Sequence, residues 1–221
     1  MWKSLSDALP LLGSTTGVNP QQAEVLFRQL RHQTQNVLQR VISVIAADRE
    51  LKSRPEGRVL AAHLEARILV AAEIMDQLFD SRPASMTIAD RLRALGSSTI
   101  TVLGSAEQDI LLDVSVEGEA PVALHDAIVR ITNEMVGNAV KHGMLMLQRG
   151  RIQIALTTSA NGTTVLAVSD DGWGVLEQAP GGQGLGLISE LAAPYGGEFM
   201  MRRRNEWTEA AVIFPPDCTM V

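Results

Sequence analysis

The sequence predicts an α+β fold in two parts: a helical hairpin that pairs into a dimeric four-helix bundle, then a mixed sheet with helices on one face. Three observations point there. Apolar residues recur every three to four positions in the first half and every two in parts of the second. Turn-forming residues interrupt the helical pattern at Ser53-Arg54-Pro55-Glu56-Gly57 and end it at Ser81-Arg82-Pro83. Asn161-Gly162 separates two strand-like runs, which is a strong hairpin signal.

Taken in order, residues 1–19 carry Gly, Ser, Thr and Pro without period and read as a flexible lead-in. Residues 20–85 read as one unit of two long helices. The first opens at Asn19-Pro20, a cap followed by a first-turn proline, and runs through Val25, Leu26, Leu30, Val37, Val41 and Val44. The second runs through Leu60, Leu64, Ile68, Ala71, Met75 and Leu78. One hairpin gives each apolar stripe a single partner, so two hairpins packed as a homodimer are expected to cover the rest. Residues 86–221 form the second unit. Strands are expected at Ile110–Val116, Arg151–Thr158, Thr163–Val168, Gly197–Arg204 and Ala210–Phe214, with helices at Leu124–His142 and Leu185–Tyr195.

Composition narrows the function. The net charge of −6 argues against a general nucleic-acid binder, whose surface needs excess Lys and Arg. The basic run Arg202-Arg203-Arg204 reads as a solvated strand face. The single Cys218 has neither a disulfide partner nor a cluster of ligating neighbours, which fits a reducing cytoplasm. No apolar run approaches membrane-spanning length and no signal-peptide pattern opens the chain. The expectation is a cytoplasmic protein.

Three motifs follow one another in the second half. In Asn133-Glu134-Met135-Val136-Gly137-Asn138-Ala139-Val140-Lys141-His142, helical spacing puts Glu134, Asn138, Lys141 and His142 on one face. A carboxylate, an amide oxygen and a cation suit a magnesium–phosphate site, because magnesium takes few, hard oxygen ligands. In Ser169-Asp170-Asp171-Gly172-Trp173-Gly174, a carboxylate at a strand end can accept a hydrogen bond from an adenine amino group, and the glycines let backbone approach a ligand. In Gly181-Gly182-Gln183-Gly184-Leu185-Gly186-Leu187, glycine-rich backbone before a helix presents N–H groups to phosphate. Each alone is common: a polar helical stripe, an Asp-Gly turn, a glycine loop.

Together and in this order they resemble the ATP-binding domain shared by histidine kinases, gyrase-type ATPases, Hsp90 and MutL, the GHKL superfamily. Glu134 and Asn138 match its asparagine box, Asp170, Gly172 and Gly174 its first glycine box, and Gly182, Gly184 and Gly186 its second. The resemblance implies a GHKL-type α/β sandwich that binds ATP and Mg2+. It implies Asn138 as the magnesium ligand, phosphate contacts from Lys141 and His142, adenine bound by Asp170, and water-mediated support from Thr208. Asp171 stands where the family usually has Asn, and the short stretch Val175 to Gly181 implies a small lid.

The first half strengthens the resemblance. His32 and Asn36 sit four apart, on one helical face. A neutral imidazole is a competent nucleophile towards a phosphoryl group, although a lone helical histidine is usually just a surface or packed residue, as His63 and His125 are read here. The stretch Arg31-His32-Gln33-Thr34-Gln35-Asn36-Val37-Leu38-Gln39 resembles the phosphoacceptor box H-R-x-x-N-N-L-Q of one histidine kinase subfamily, matching at His32, Asn36, Leu38 and Gln39. That subfamily pairs a dimerising phosphotransfer hairpin with a short-lidded ATP domain in this order, so the resemblance spans about residues 20–215. It implies autophosphorylation of His32 and transfer to a response-regulator receiver domain, with the signal supplied by a separate sensor protein or by sequence outside this core. Gln33 replaces the Arg or acidic residue found after the histidine in relatives. An amide can only hydrogen bond, so either Glu134 or another group is expected to remove the proton or autophosphorylation is expected to be slow.

Two other readings compete. A histidine phosphotransfer protein on a degenerate kinase fold would use His32 without ATP, and has no need of the intact Glu134, Asn138, Asp170 and glycine sets. A serine kinase of the anti-sigma-factor type shares only the ATP domain and has no need of the His32 hairpin.

Overall fold

The computed structural model describes residues 20–79, 86–105, 107–173 and 183–216. The lead-in 1–19, the helix stop at Ser81-Arg82-Pro83, the lid stretch Val175 to Gly181, Gly174, Gly182 and Cys218 lie outside them. The fold is α+β with one five-stranded mixed sheet.

Helix α1 (Pro20–Ala47) and helix α3 (Pro55–Phe79) form the hairpin, joined by a single turn, α2 (Arg49–Ser53). Asp48 caps that turn by accepting from the Leu51 N–H at 3.0 Å. The described apolar positions of α1 from Val37 onward divide into two stripes. Leu38, Ile42 and Ile45 are half-buried, while Val37, Val41 and Val44 are exposed, Val44 to 69%. This corrects the single stripe expected from the sequence. A shift of one residue rotates a helix position by about 100°, so the half-buried positions face α3 and the valines are left uncovered. On α3, Ala61 and Ile74 are buried, whereas Val59, Leu60, Leu64 and Leu69 remain exposed.

Helix α4 (Ile88–Leu103) was not expected. Its second half, Gly96-Ser97-Ser98-Thr99-Ile100-Thr101-Val102, is poor in helix formers. Burial decides instead: Leu92, Leu95, Gly96 and Thr99 line one face. Thr87 caps the helix, its hydroxyl oxygen accepting from the Asp90 N–H at 3.1 Å. At Gly96 a Cβ would press into the side chains of Leu112 and Ile154, so glycine permits this close helix–sheet contact. A small cluster of Ile74, Leu95 and Val129 joins α3 to α4 and α5, and the Arg67 guanidinium donates to the Val102 carbonyl oxygen.

The sheet runs β1 (Asp109–Glu117), β2 (Arg149–Thr158), β3 (Thr164–Asp170), β4 (Glu198–Arg204) and β5 (Trp207–Phe214), in spatial order β1-β2-β3-β5-β4. β1 and β2 are parallel, and the crossover between them is helix α5 (His125–Asn138); the other pairs are antiparallel. The Asn161-Gly162 signal marks the β2–β3 turn, where Gly162 has φ +89° and the Asn161 side chain accepts from the Thr163 N–H. At the β4–β5 turn Asn205 takes φ +55°, a region that asparagine tolerates. Helix α6 (Gln183–Ala192) completes the helical layer.

One sheet face is buried under the helices and the other is open. Ile152, Ile154 and Leu156 of β2 and Leu166 and Val168 of β3 point inward, while Arg151, Gln153 and Thr157 point to solvent. The inward residues meet Ile128, Ile131, Met135 and Val136 of α5 and Ile188 of α6 in one core. Leu166, fully buried at its centre, gives a direct check: Leu166→Ala should cost about 2–5 kcal/mol in a denaturant melt, with the slope of the transition unchanged.

Candidate functional site

Two chain segments meet at the end of the sheet. The first is the C-terminal end of α5. The sequence predicts helix to His142, but α-helical geometry stops at Asn138 and Ala139–Gly143 form a single π turn, closed by the Met144 N–H donating to the Ala139 carbonyl at 2.9 Å. Such turns are rare and frequent at functional sites. Glu134 and Asn138 are half-buried on α5, while Lys141 and His142 are exposed on the π turn. The common face expected for all four is therefore interrupted by a change of helix type after Asn138.

The second segment is the end of β3. The strand runs two residues further than expected, so Asp170 is its last residue and points inward, only 6% exposed. Its carboxylate accepts from the Gly172 N–H at 3.0 Å. Burial pushes the Asp170 carboxyl above its ordinary 3.8; the Gly172 N–H opposes that shift, the neighbouring Asp171 adds to it, and Arg203 opposes it.

Contact between the segments is close. A Cβ on Gly143 would fall on the Asp170 carboxylate, and a Cβ on Gly172 would fall on the Gly143 carbonyl. Glycine is required at both places by space. Gly172 belongs to the predicted set; Gly143 was missed, and its signal is a glycine directly after Lys141-His142 at the end of a helical pattern. The Trp173 N–H donates to the Gly143 carbonyl and its indole Nε1 to the Leu145 carbonyl, both at 3.0 Å. Gln108, also missed, donates from Nε2 to the carbonyls of Met144 and Leu147 and braces the same loop from the start of β1.

Thr208 completes the inner face. It lies opposite Asp170 in the β3–β5 register, is 6% exposed, and its hydroxyl has no hydrogen-bond partner among the described residues. Its strand starts at Trp207 rather than Ala210, which is why the threonine faces inward. Asp171, the departure from the usual Asn, accepts from the Arg151 N–H at 2.6 Å through one carboxylate oxygen, a bond that an amide oxygen could equally make.

The glycine-rich segment is described only in part. Helix α6 begins at Gln183, so Gly184 and Gly186 lie in its first turn rather than ahead of it as expected. Gly186 is exposed and a Cβ there would meet nothing within 4 Å, so packing does not demand glycine. His32 and Asn36 are both exposed on α1, whose packing partner is α3. The structure thus brings Asp170, Gly172 and Thr208 together at the sheet end beside Gly143, places Glu134 and Asn138 on α5 and Lys141 and His142 on the π turn that leads to Gly143, and carries His32 and Asn36 on the hairpin. Among the described residues no group of three or more His, Cys, Asp or Glu could hold a metal ion, and no helix is long and apolar enough to cross a membrane.

No protein-family model matches the sequence, and no curated protein matches it. Solved structures do. The chain is similar to the histidine kinase domain from the Erythrobacter litoralis EL346 blue-light activated histidine kinase, at 20% identity and a TM-score of 0.55 over 89% of this chain and 94% of that one. It is also similar to the longer chain of the Erythrobacter litoralis EL346 kinase, at 17% identity and a TM-score of 0.51, over 92% of this chain and 62% of that one. The first alignment takes in both hairpin and sheet, which makes this chain's fold that of a histidine kinase catalytic core.

Proposed function

We propose that the chain is an ATP-dependent protein-histidine kinase that phosphorylates His32 and passes the phosphoryl group to a response-regulator aspartate. The observation that carries this reading is the pair at the sheet end: a buried Asp170 carboxylate opposite a buried Thr208 hydroxyl that has no partner among the described residues. Such groups are costly unless something satisfies them. An adenine amino group, directly and through a water, would do so. Gly143 and Gly172, which leave no room for side chains, keep the carboxylate in reach of a flat ring.

The remaining roles follow from placement. Asn138, at the last α-helical turn, would hold Mg2+ through its amide oxygen, with phosphate oxygens and water completing the shell. The ion, when bound, neutralises charge on the phosphates. Lys141 and His142, exposed on the π turn, would contact those phosphates, and the backbone of Gly184 and Gly186 would approach them in the first turn of α6. An imidazole nitrogen of His32 then attacks the γ-phosphorus; an N–P bond forms, the P–O bond to the β-phosphate breaks, and ADP leaves. Glu134 accepts the imidazole proton, Gln33 being unable to, and Asn36 orients the ring from the next helical turn. In the second step an aspartate oxygen of the receiver domain takes the phosphoryl group and the N–P bond breaks.

The hairpin supports assembly as a homodimer. Val37, Val41 and Val44 on α1 and Leu60 and Leu64 on α3 are apolar and uncovered in a single chain. A second hairpin packed at about 20° would bury them and leave His32 accessible. Residues 20–85 would then be the dimerisation and phosphotransfer domain and residues 86–221 the ATP-binding domain.

Three outcomes are expected. With γ-labelled ATP, His32→Ala should incorporate no label while binding ADP like the wild type; the wild-type label should be lost in acid and retained in base. Label on the mutant would mean another acceptor. Asp170→Asn should lose roughly 10–150-fold in ADP affinity, the worth of a charge-assisted hydrogen bond. Its effect on stability has the opposite sign. A raised folded pKa gives a stabilising contribution that is complete below pH ~3.9 and lost as pH rises through the folded value. The ligand-free Asn variant should therefore melt above the wild type at pH 7, with the gap closing towards pH 4. Finally, wild type should scatter light as a dimer at micromolar concentration and Leu64→Glu as a helical monomer, because a charge buried without a partner is strongly penalised. A Leu64→Glu dimer would remove the four-helix arrangement.

A further inference from the structure

The basic run Arg202-Arg203-Arg204 is not one surface. It lies on the edge strand β4, where successive side chains take opposite faces. Arg202 lies on the open face and forms an ion pair with Glu209, its register partner, at 2.5 Å. Arg203 belongs to the inner row Ile152–Asp170–Thr208–Arg203, which crosses four strands at the sheet end. Two strand spacings of about 4.8 Å separate the backbones of Arg203 and Asp170, a gap that an extended arginine can largely cross. Its Nη1 donates to the Trp173 carbonyl oxygen at 2.6 Å.

That bond ties β4 to the turn holding Gly172. The turn is fixed by the Gly172 N–H on Asp170, by the Trp173 N–H and indole on the loop after the π turn, and by Arg203 from the other side. Arg203 also supplies charge. Among the groups facing Asp170, Asp171 is a second carboxylate on the same turn, β2 and β5 offer the neutral Ile152 and Thr208, and the π turn offers Gly143 at the contact with Lys141 and His142 exposed. Arg203 is the cation acting on the carboxylate from β4.

We infer that Arg203 is a positioning residue of the nucleotide site: it clamps the Gly172–Trp173 turn from β4 and sets its cation in the same inner row as the Asp170 carboxylate that adenine would meet. The inference rests on the nucleotide reading of the site. A carboxylate that reads an amino group must be charged to bind at full strength, and burial beside Asp171 works against that. Removing the guanidinium removes one hydrogen bond and the opposing charge together.

The test measures ADP affinity of the full chain by calorimetry between pH 5 and 8 for wild type, Arg203→Gln, Arg203→Lys and Arg202→Gln. Arg203→Gln is expected to lose on the order of five- to tenfold in affinity at neutral pH, with the loss growing as pH falls, because Asp170 takes up a proton earlier. Arg203→Lys, which keeps the charge, should restore the pH dependence. Arg202→Gln, on the opposite face, should match wild type in both. Carbon-detected titration of the Asp170 carboxyl without ADP reads the same coupling directly and should move upward in Arg203→Gln alone. If wild type binds ADP and Arg203→Gln binds equally with an identical pH profile and carboxyl titration, the inference is wrong while the nucleotide site stands. Wild type that binds no ADP would overturn both.

Discussion

The structure turns on one close approach. After Asn138 the chain leaves α-helical geometry, makes a π turn and reaches Gly143; after Asp170 it leaves β3 and turns through Gly172. These two glycines let backbone meet backbone and carboxylate with no Cβ between them. From that contact follow the burial of Asp170, the bond from its carboxylate to the Gly172 N–H and the anchoring of Trp173 on the Gly143 carbonyl. The π turn supplies an extra residue within the helical path, and with it the exposed positions of Lys141 and His142. A chain that continued as α-helix to His142 would aim those side chains, and Gly143, elsewhere.

Much of this was legible in the sequence because it rests on local chemistry. Asn161-Gly162 specifies its turn through backbone conformations that few other residues adopt, and the strand and helix periods on either side locate most of the sheet. Asp170, Gly172 and Asn138 stand out in the sequence through motif order. What was not legible depends on tertiary context. Helix α4 is built partly from residues that disfavour helix and is held by burial of Leu92 and Leu95 and by a glycine fitted to Leu112 and Ile154. The π turn has no compositional signature. The two stripes of α1 differ by one residue in phase, and spacing alone cannot say which of them α3 covers.

The candidate site also violates the rules that hold elsewhere in the fold. The core is apolar and well covered, with Leu124, Ile128, Ile131, Ile152 and Phe214 fully buried. At the sheet end the inward positions instead carry a carboxylate held above its ordinary pKa and a hydroxyl with no partner among the described residues. Replacing both with apolar residues of similar size would favour the ligand-free fold. Local departures from an otherwise consistent design are what a binding site leaves behind, since groups chosen for a ligand are unsatisfied without it. The inward strand register that places Thr208 opposite Asp170 is the same one that separates Arg203 from Arg202.

The joint between hairpin and sheet sets how these parts can act together. Among the described residues nineteen buried side chains make up the main core, while the cluster joining α3 to the helices beyond it has three buried members, Ile74, Leu95 and Val129, with Ile88 and Val102 packed against them and Arg67 on the Val102 carbonyl. At about 1.5–3 kcal/mol for each buried large side chain, a cluster of this size adds less than the core it adjoins. Segments opening at low free energy are those joined by few buried contacts. On the function proposed above, phosphoryl transfer from a nucleotide at the sheet to His32 would need reacting atoms about 3–3.5 Å apart, and later transfer would need His32 to face a different protein. One fixed arrangement cannot serve both steps. On the proposed function, a small apolar joint between two parts that each keep their own packing would let the hairpin present His32 first to the sheet and then to a partner, without cost to the core that holds Asp170 in place.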